Sequence, residues 1–253
     1  MTQPDDDFYV GYLDAAPGGP GRRGRAVAAA AIVLLPLAAL GLAAAHAARP
    51  AAAFEFGVSR EFEGVLRAHP FPALLVDRRG DDDGRAGYTT YLLVGRGKHG
   101  AGPLVAGLHG SRVRLSGSLV ARDGAAMIET GPGPIVRLEP AGPVEGGEDL
   151  GDFTLAGEIV DGKCYLGVMN PGEGKTHRDC AVRCISGGAP PMLVARDALG
   201  NVARLLLVGR DGRAINAELL DLVAEPVTVT GRVERLGDAL VLRAEPSEIR
   251  RAS

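Results

Sequence analysis

Leu92-Leu-Val-Gly-Arg96 recurs 114 residues later as Leu206-Leu-Val-Gly-Arg210. The same offset carries Val113-Arg-Leu-Ser-Gly117 onto Val227-Thr-Val-Thr-Gly231, Leu108 onto Leu222, and Met127-Ile128 onto Val241-Leu242. A spacing held over four separate segments marks a duplicated structural unit. Upstream the offset falls to 93, where Phe62-Glu-Gly64-Val-Leu66 corresponds to Leu155-Ala-Gly157-Glu-Ile159. The second copy therefore carries about 21 extra residues between its first and middle strands.

Within each copy the segments read as strands. Val113 and Leu115, like Val227 and Val229, alternate with polar partners, a period of two. Arg122-Asp-Gly124 and Arg235-Leu-Gly237 are hairpin turns before the last strand. One helix fits between the middle and Val-rich strands, most clearly at Ala214–Ala224. Strand, strand, strand, helix, strand, strand in each copy resembles an OB-type barrel, a small Greek-key barrel. The expected fold is mainly β, with two tandem OB-like barrels at residues 54–140 and 152–250, joined by the linker Pro140-Ala-Gly-Pro-Val-Glu-Gly-Gly147. A β-sandwich is the alternative.

The chain has 253 residues, 46% of them apolar, but no Trp and few aromatics, so its cores are built from Val, Leu, Ala and Ile. A net charge of -3 gives no basic field to recommend nucleic acid as a partner. Residues 1–25 are a polar tail, expected in the cytoplasm, interrupted by Phe8-Tyr-Val-Gly-Tyr-Leu13. That patch suits either contact with the membrane interface or docking to a protein partner. Residues 26–48 are Ala, Val, Leu and Ile almost throughout, long enough to cross a ~30 Å hydrocarbon core. Arg22, Arg23 and Arg25 precede the span and Arg49 alone follows it. The positive-inside rule then predicts one pass through a cytoplasmic membrane, N-terminus inside and barrels outside. A cleaved signal peptide competes, because Ala45-His-Ala47 has the small-x-small form of a cleavage site.

The segment that accommodates the extra residues, 163–191, holds all three cysteines among glycines and prolines that favour tight turns over a regular element. Their pattern, Cys164-x12-His177-x2-Cys180-x3-Cys184, supplies three thiolates and an imidazole, the donor set of a tetrahedral zinc site. With Met169 nearby the set is also soft enough for copper. A metal would order an insertion that reads as too rich in Gly and polar residues to build a core. Outside the cytoplasm a disulfide from Cys164 to Cys180 or Cys184 competes, leaving one spare thiol, and a catalytic thiol is a third possibility. Gly174-Lys-Thr176 imitates the end of a phosphate-binding loop but lacks the upstream glycine, since position 169 is Met. In the first barrel, Gly95-Arg-Gly-Lys-His-Gly100 places Lys98 and His99 after the middle strand, as exposed charges on a turn or as a contribution to the same site.

The insertion opens Lys163-Cys-Tyr-Leu-Gly-Val-Met-Asn-Pro-Gly172 and closes Cys184-Ile-Ser-Gly-Gly-Ala-Pro-Pro191. It resembles the signature of a family of bacterial membrane-anchored proteins, a resemblance that implies no established activity. The Cys-x3-Cys pair is also similar to that of the copper-loading proteins of respiratory oxidases, which sit in thioredoxin-like surroundings. In architecture the chain looks like the haem chaperone of cytochrome c maturation, an anchored OB barrel. That family attaches haem through a His-x3-Tyr pair, and no His here is followed by Tyr at that spacing. The expected role is therefore a membrane-anchored metal-binding or redox accessory or assembly protein for an extracytoplasmic electron-transfer system, with a protein partner in the same membrane. A structural adaptor with a disulfide-tied loop is the alternative. Metal ligands are expected at Cys164, His177, Cys180 and Cys184; no Ser/His/Asp or paired-carboxylate arrangement recommends an enzyme.

Overall fold

A computed structural model describes residues 18–47, 52–78, 87–141 and 146–252. Phe8–Leu13, Arg49 and the middle of the expected linker lie outside the described residues. The first element, α1 (Gly18–Ala47), is one continuous helix with Pro36 inside it. It begins at Gly18 rather than Ala26, so Arg22, Arg23 and Arg25 are its first turns rather than a preceding coil; Arg is a good helix former. Gly21–Ala47 is long and apolar enough to span a bilayer.

Residues from 51 onward form a separate compact unit. Its first barrel contains β1 (Ala52–Phe54), β2 (Arg60–Arg67), β3 (Ala73–Asp77), β4 (Tyr88–Val94), β5 (Ser111–Arg122), β6 (Ala125–Thr130) and β7 (Val136–Pro140). β2, β3 and β4 form an antiparallel meander, β6 runs parallel to β4, and β5 pairs with both β6 and β2. Five strands thus close on themselves, leaving β1 and β7 as short additions along β5. This is the connectivity of an OB barrel. Closure requires a sharply bent first strand, and Gly64 permits the bend. A Cβ there would lie 2.3 Å from the Leu75 carbonyl oxygen. Asp123 and Gly124 form the tight β5–β6 turn, both with positive φ.

The second barrel repeats this with β8 (Glu148–Asp161), β9 (Pro191–Arg196), β10 (Val202–Val208), β11 (Pro226–Leu236) and β12 (Ala239–Arg243), plus a short β13 (Ile249–Arg251) on β11. β12 is parallel to β10, and β11 closes onto β8. Gly157 takes the place of Gly64, its absent Cβ 2.4 Å from the Val194 carbonyl oxygen. The expected interior helix is short, a 3-10 turn at Gly102–Val105 in the first barrel and Asn216–Leu219 with a 3-10 turn in the second. The Cys-bearing segment joins β8 to β9, where the first barrel has only residues 68–72 between β2 and β3.

Strand alternation gives each barrel two apolar faces. Leu93, Leu74 and Ile128 fill the first barrel, while Leu205, Leu207 and Leu242 fill the second. Their neighbours Leu92, Val94 and Met127 point outward and meet Leu206, Val208 and Val241 in one shared cluster. These outward residues are themselves related by the 114-residue repeat, so the two copies use the same patch against each other. That is the arrangement of a self-complementary interface within a single chain.

The paired close approaches predict paired effects. Gly64→Ala and Gly157→Ala each force a methyl against backbone oxygen and are expected to cost about 1–3 kcal/mol. Gly102→Ala, where a Cβ meets nothing within 4 Å, should shift the denaturation midpoint negligibly.

Candidate metal centre

The site starts where β8 ends. Asp161 is fully buried, and its Oδ1 accepts the Cys164 backbone N–H at 2.8 Å, tying the start of the turn Cys164–Val168 to the strand. A 3-10 turn, Lys175–His177, leads into α2 (Arg178–Ser186). Cys180 and Cys184 lie four positions apart, with three residues between them, which puts both on one helix face. Gly187 and Gly188 then end the helix, donating to the Arg183 and Ile185 carbonyls, and Ala189 N–H reaches the Cys184 carbonyl at 2.9 Å.

Two sequence expectations need correction here. The insertion contains a nine-residue helix rather than turns alone. The signal was present: residues 175–186 hold no Gly or Pro, and Gly187 stands at the position that ends a helix. Nor is the insertion too polar for a core. Tyr165 and Leu166 enter the seam between the barrels, and Ala181 and Ile185 enter the interior of the second. Tyr165 also lies beneath Arg122 of β5 at 4.6 Å and Arg204 of β10 at 5.9 Å. Ordinary burial therefore orders the loop.

The three cysteines are free thiols whose sulfurs lie within 4.8 Å of one another. Cys164 and Cys180 are 4.0 Å apart. Four ligands at about 2.3 Å from a tetrahedral ion would be about 3.8 Å apart, whereas a disulfide requires about 2.05 Å. The thiols thus stand at coordination spacing. His177, the fourth expected ligand, is buried nearby but belongs to an overlapping group, Asp161, Cys164 and His177. Its Nε2 is 3.1 Å from Asp161 Oδ2. A carboxylate holding one imidazole nitrogen is how metal-binding histidines are commonly oriented. Either group can hold a metal ion, and Cys164 belongs to both. His99 joins neither among the described residues.

Lys98 of the first barrel does join the site. Its Nζ lies 2.7 Å from Cys180 Sγ and 3.8 Å from Cys184 Sγ. In the opposite direction Lys163, almost wholly buried, sends its ammonium into the first barrel, where it pairs with Glu129 and donates to the Gly95 and Gly97 carbonyls at 2.9 and 2.7 Å. Gly100 N–H closes the contact on the Gly187 carbonyl at 2.9 Å. The two barrels therefore exchange lysines across one junction. Of the two expectations for the Gly95–Gly100 turn, Lys98 meets the second, a contribution to the same site, whereas Asp161 and Lys163 carry roles that no motif announced.

The thiols are electrostatically unequal. The hydrogen bond between Cys164 and Cys184, followed by burial and the Asp161 carboxylate, pushes the Cys164 thiol far up. The same hydrogen bond lowers Cys184 to about 7, against the opposing effect of burial, with the Lys98 charge assisting. Lys98 is raised, chiefly by its hydrogen bond to Cys180.

No protein-family model, curated protein or solved structure matches this chain, so the site is read from its own geometry.

In the metal-free protein, ultraviolet thiolate absorbance should show Cys184 titrating near pH 7, with Cys164 still protonated well above that. Cys164→Ala removes the donor that lowers Cys184. The Cys184 midpoint should then move up, so that less thiolate is present at neutral pH.

Proposed function

We propose that this protein is a membrane-anchored metal-binding accessory factor, serving an extracytoplasmic electron-transfer enzyme as a subunit or assembly protein. In this reading α1 is the single span, with Arg22, Arg23 and Arg25 keeping its N-terminus in the cytoplasm. The ion is thiophilic, zinc or copper(I), and its donors are Cys164, Cys180 and Cys184 with His177 as the nitrogen ligand. The observation that carries the reading is the spacing of the three sulfurs, including the 4.0 Å separation of Cys164 and Cys180. The buried Asp161–His177 pair supports it, because an oriented imidazole beside Cys164, the thiol common to both groups, suits ligation better than solvent exposure. Partial exposure of Cys180, between two buried cysteines, suits a site that gains and loses its ion.

The reading is tested by elemental analysis with thiol counting on the full chain in detergent, purified without chelator. One zinc or copper per chain is expected, with three reactive thiols appearing after its removal. Cys180→Ser should abolish stoichiometric binding, and Asp161→Asn should weaken it by about 10–100-fold. Far-ultraviolet circular dichroism should survive chelation, because Tyr165, Leu166 and Ile185 hold the loop without the ion. No metal and a single reactive thiol would replace this reading with the structural adaptor, its loop tied by a disulfide.

A further inference from the structure

We propose that Lys98 and Cys180 are the two ends of an oxidatively formed covalent bridge, Nζ–O–Sγ, that cross-links the two barrels. The inference goes beyond metal binding and does not depend on it.

The geometry points there first. Lys98 Nζ and Cys180 Sγ are 2.7 Å apart. That is the short end of the range for N–H···O bonds, about 2.7–3.2 Å, and sulfur is a larger acceptor than oxygen, so an ordinary N–H···S contact is longer. A direct N–S bond, as in a sulfenamide, is shorter by roughly 1 Å. One oxygen singly bonded to both atoms spans roughly 2.6–2.7 Å, which matches the separation without movement of either residue. A disulfide between Cys180 and Cys164 would instead have to draw together sulfurs that stand 4.0 Å apart.

Access and rigidity agree. Cys180 is the least buried of the three cysteines, while Cys164 and Cys184 are both shielded, so a small oxidant meets Cys180 first. Both sides are fixed by contacts other than the bridge. The loop carrying Lys98 is held by Lys163 through the Gly95 and Gly97 carbonyls, and by Gly100 on Gly187. On the opposite side a Cβ at Gly187 would lie 1.9 Å from the Lys98 carbonyl oxygen, which shows how closely the end of α2 packs on this loop.

With hydrogen peroxide as oxidant the reaction balances. One thiol, one amine and two peroxides give Cys180–Sγ–O–Nζ(H)–Lys98 and three waters. The S–H bond, one N–H bond and two O–O bonds break; the S–O and N–O bonds form, and the two hydrogens released make two new O–H bonds of water. Sulfur and nitrogen each give up two electrons, and the two peroxides take all four. Once Cys180 carries oxygen its sulfur is an electrophilic centre, and Lys98 Nζ is the nitrogen that stands beside it.

The test treats the full chain, in detergent and stripped of metal, with hydrogen peroxide, followed by trypsin and mass spectrometry. The expected product is a peptide uncut at Lys98 and joined to Asp179–Arg183, heavier than the two parts by one oxygen and lighter by two hydrogens. Dithiothreitol should release it. Lys98→Arg keeps the charge but should lose the product, with Cys180 passing instead to sulfinic acid or a disulfide. Wild-type Cys180 recovered unmodified, as a disulfide or as sulfinic acid, with Lys98 cleaved normally, would overturn the proposal. So would a linked peptide lacking the oxygen. None of these masses depends on whether the native protein carries a metal.

Discussion

The seam between the barrels is the constraint on which the rest depends. Leu92, Val94 and Met127 face Leu206, Val208 and Val241, and Tyr165 and Leu166 of the insertion fill the remaining space. Burial of this apolar surface supplies the driving force that holds the two copies as one unit. Everything polar at the junction is a consequence. Lys163 can be buried only because the first barrel presents Glu129 and two carbonyls at the right distance. Left without them, an ammonium there would carry the full cost of desolvation. Lys98 reaches the thiols only because the same seam fixes its loop against α2.

Duplication followed by asymmetric elaboration explains how the site came to be composite. Both copies keep the close-packed glycine of the first strand and the outward apolar face of the middle and last strands. Only the second lengthens its first hairpin. The extra segment then settles on the neighbouring copy rather than in solvent, so a single insertion gains contacts from two domains. The thiols come from one barrel and the nearest counter-charge from the other.

Much of the fold was legible in the sequence because repetition is independent of local propensity. The 114-residue offset located the strands of both barrels, and the break to 93 located the insertion. Cys164, His177, Cys180 and Cys184 were legible as a candidate set, since three cysteines in one short segment stand out anywhere. Their grouping was not. Asp161 reads as an unremarkable strand-end carboxylate until burial puts its oxygen on His177, and the turn at Gly95–Gly100 offered Lys98 to the site without saying which cysteine, 82 residues away, it would meet. The helix at Arg178–Ser186 is masked in the sequence by the glycines and prolines that flank it on both sides. Only the shorter window between them is helical.

One contact links the site to the beginning of the compact unit. β1 pairs with β5, and Gly167, in the turn that carries Cys164, packs so closely on it that a Cβ would lie 2.6 Å from the Ala53 carbonyl oxygen. Three residues of strand therefore stand between the incoming chain and the backbone of the thiol cluster. Tension applied at Ala52 would be carried by that short ladder in shear, and its failure would uncover the Gly167 side of the turn while Tyr165 and Leu166 still held it in the seam. The backbone of the turn that holds Cys164 thus lies directly against the first strand of the compact unit.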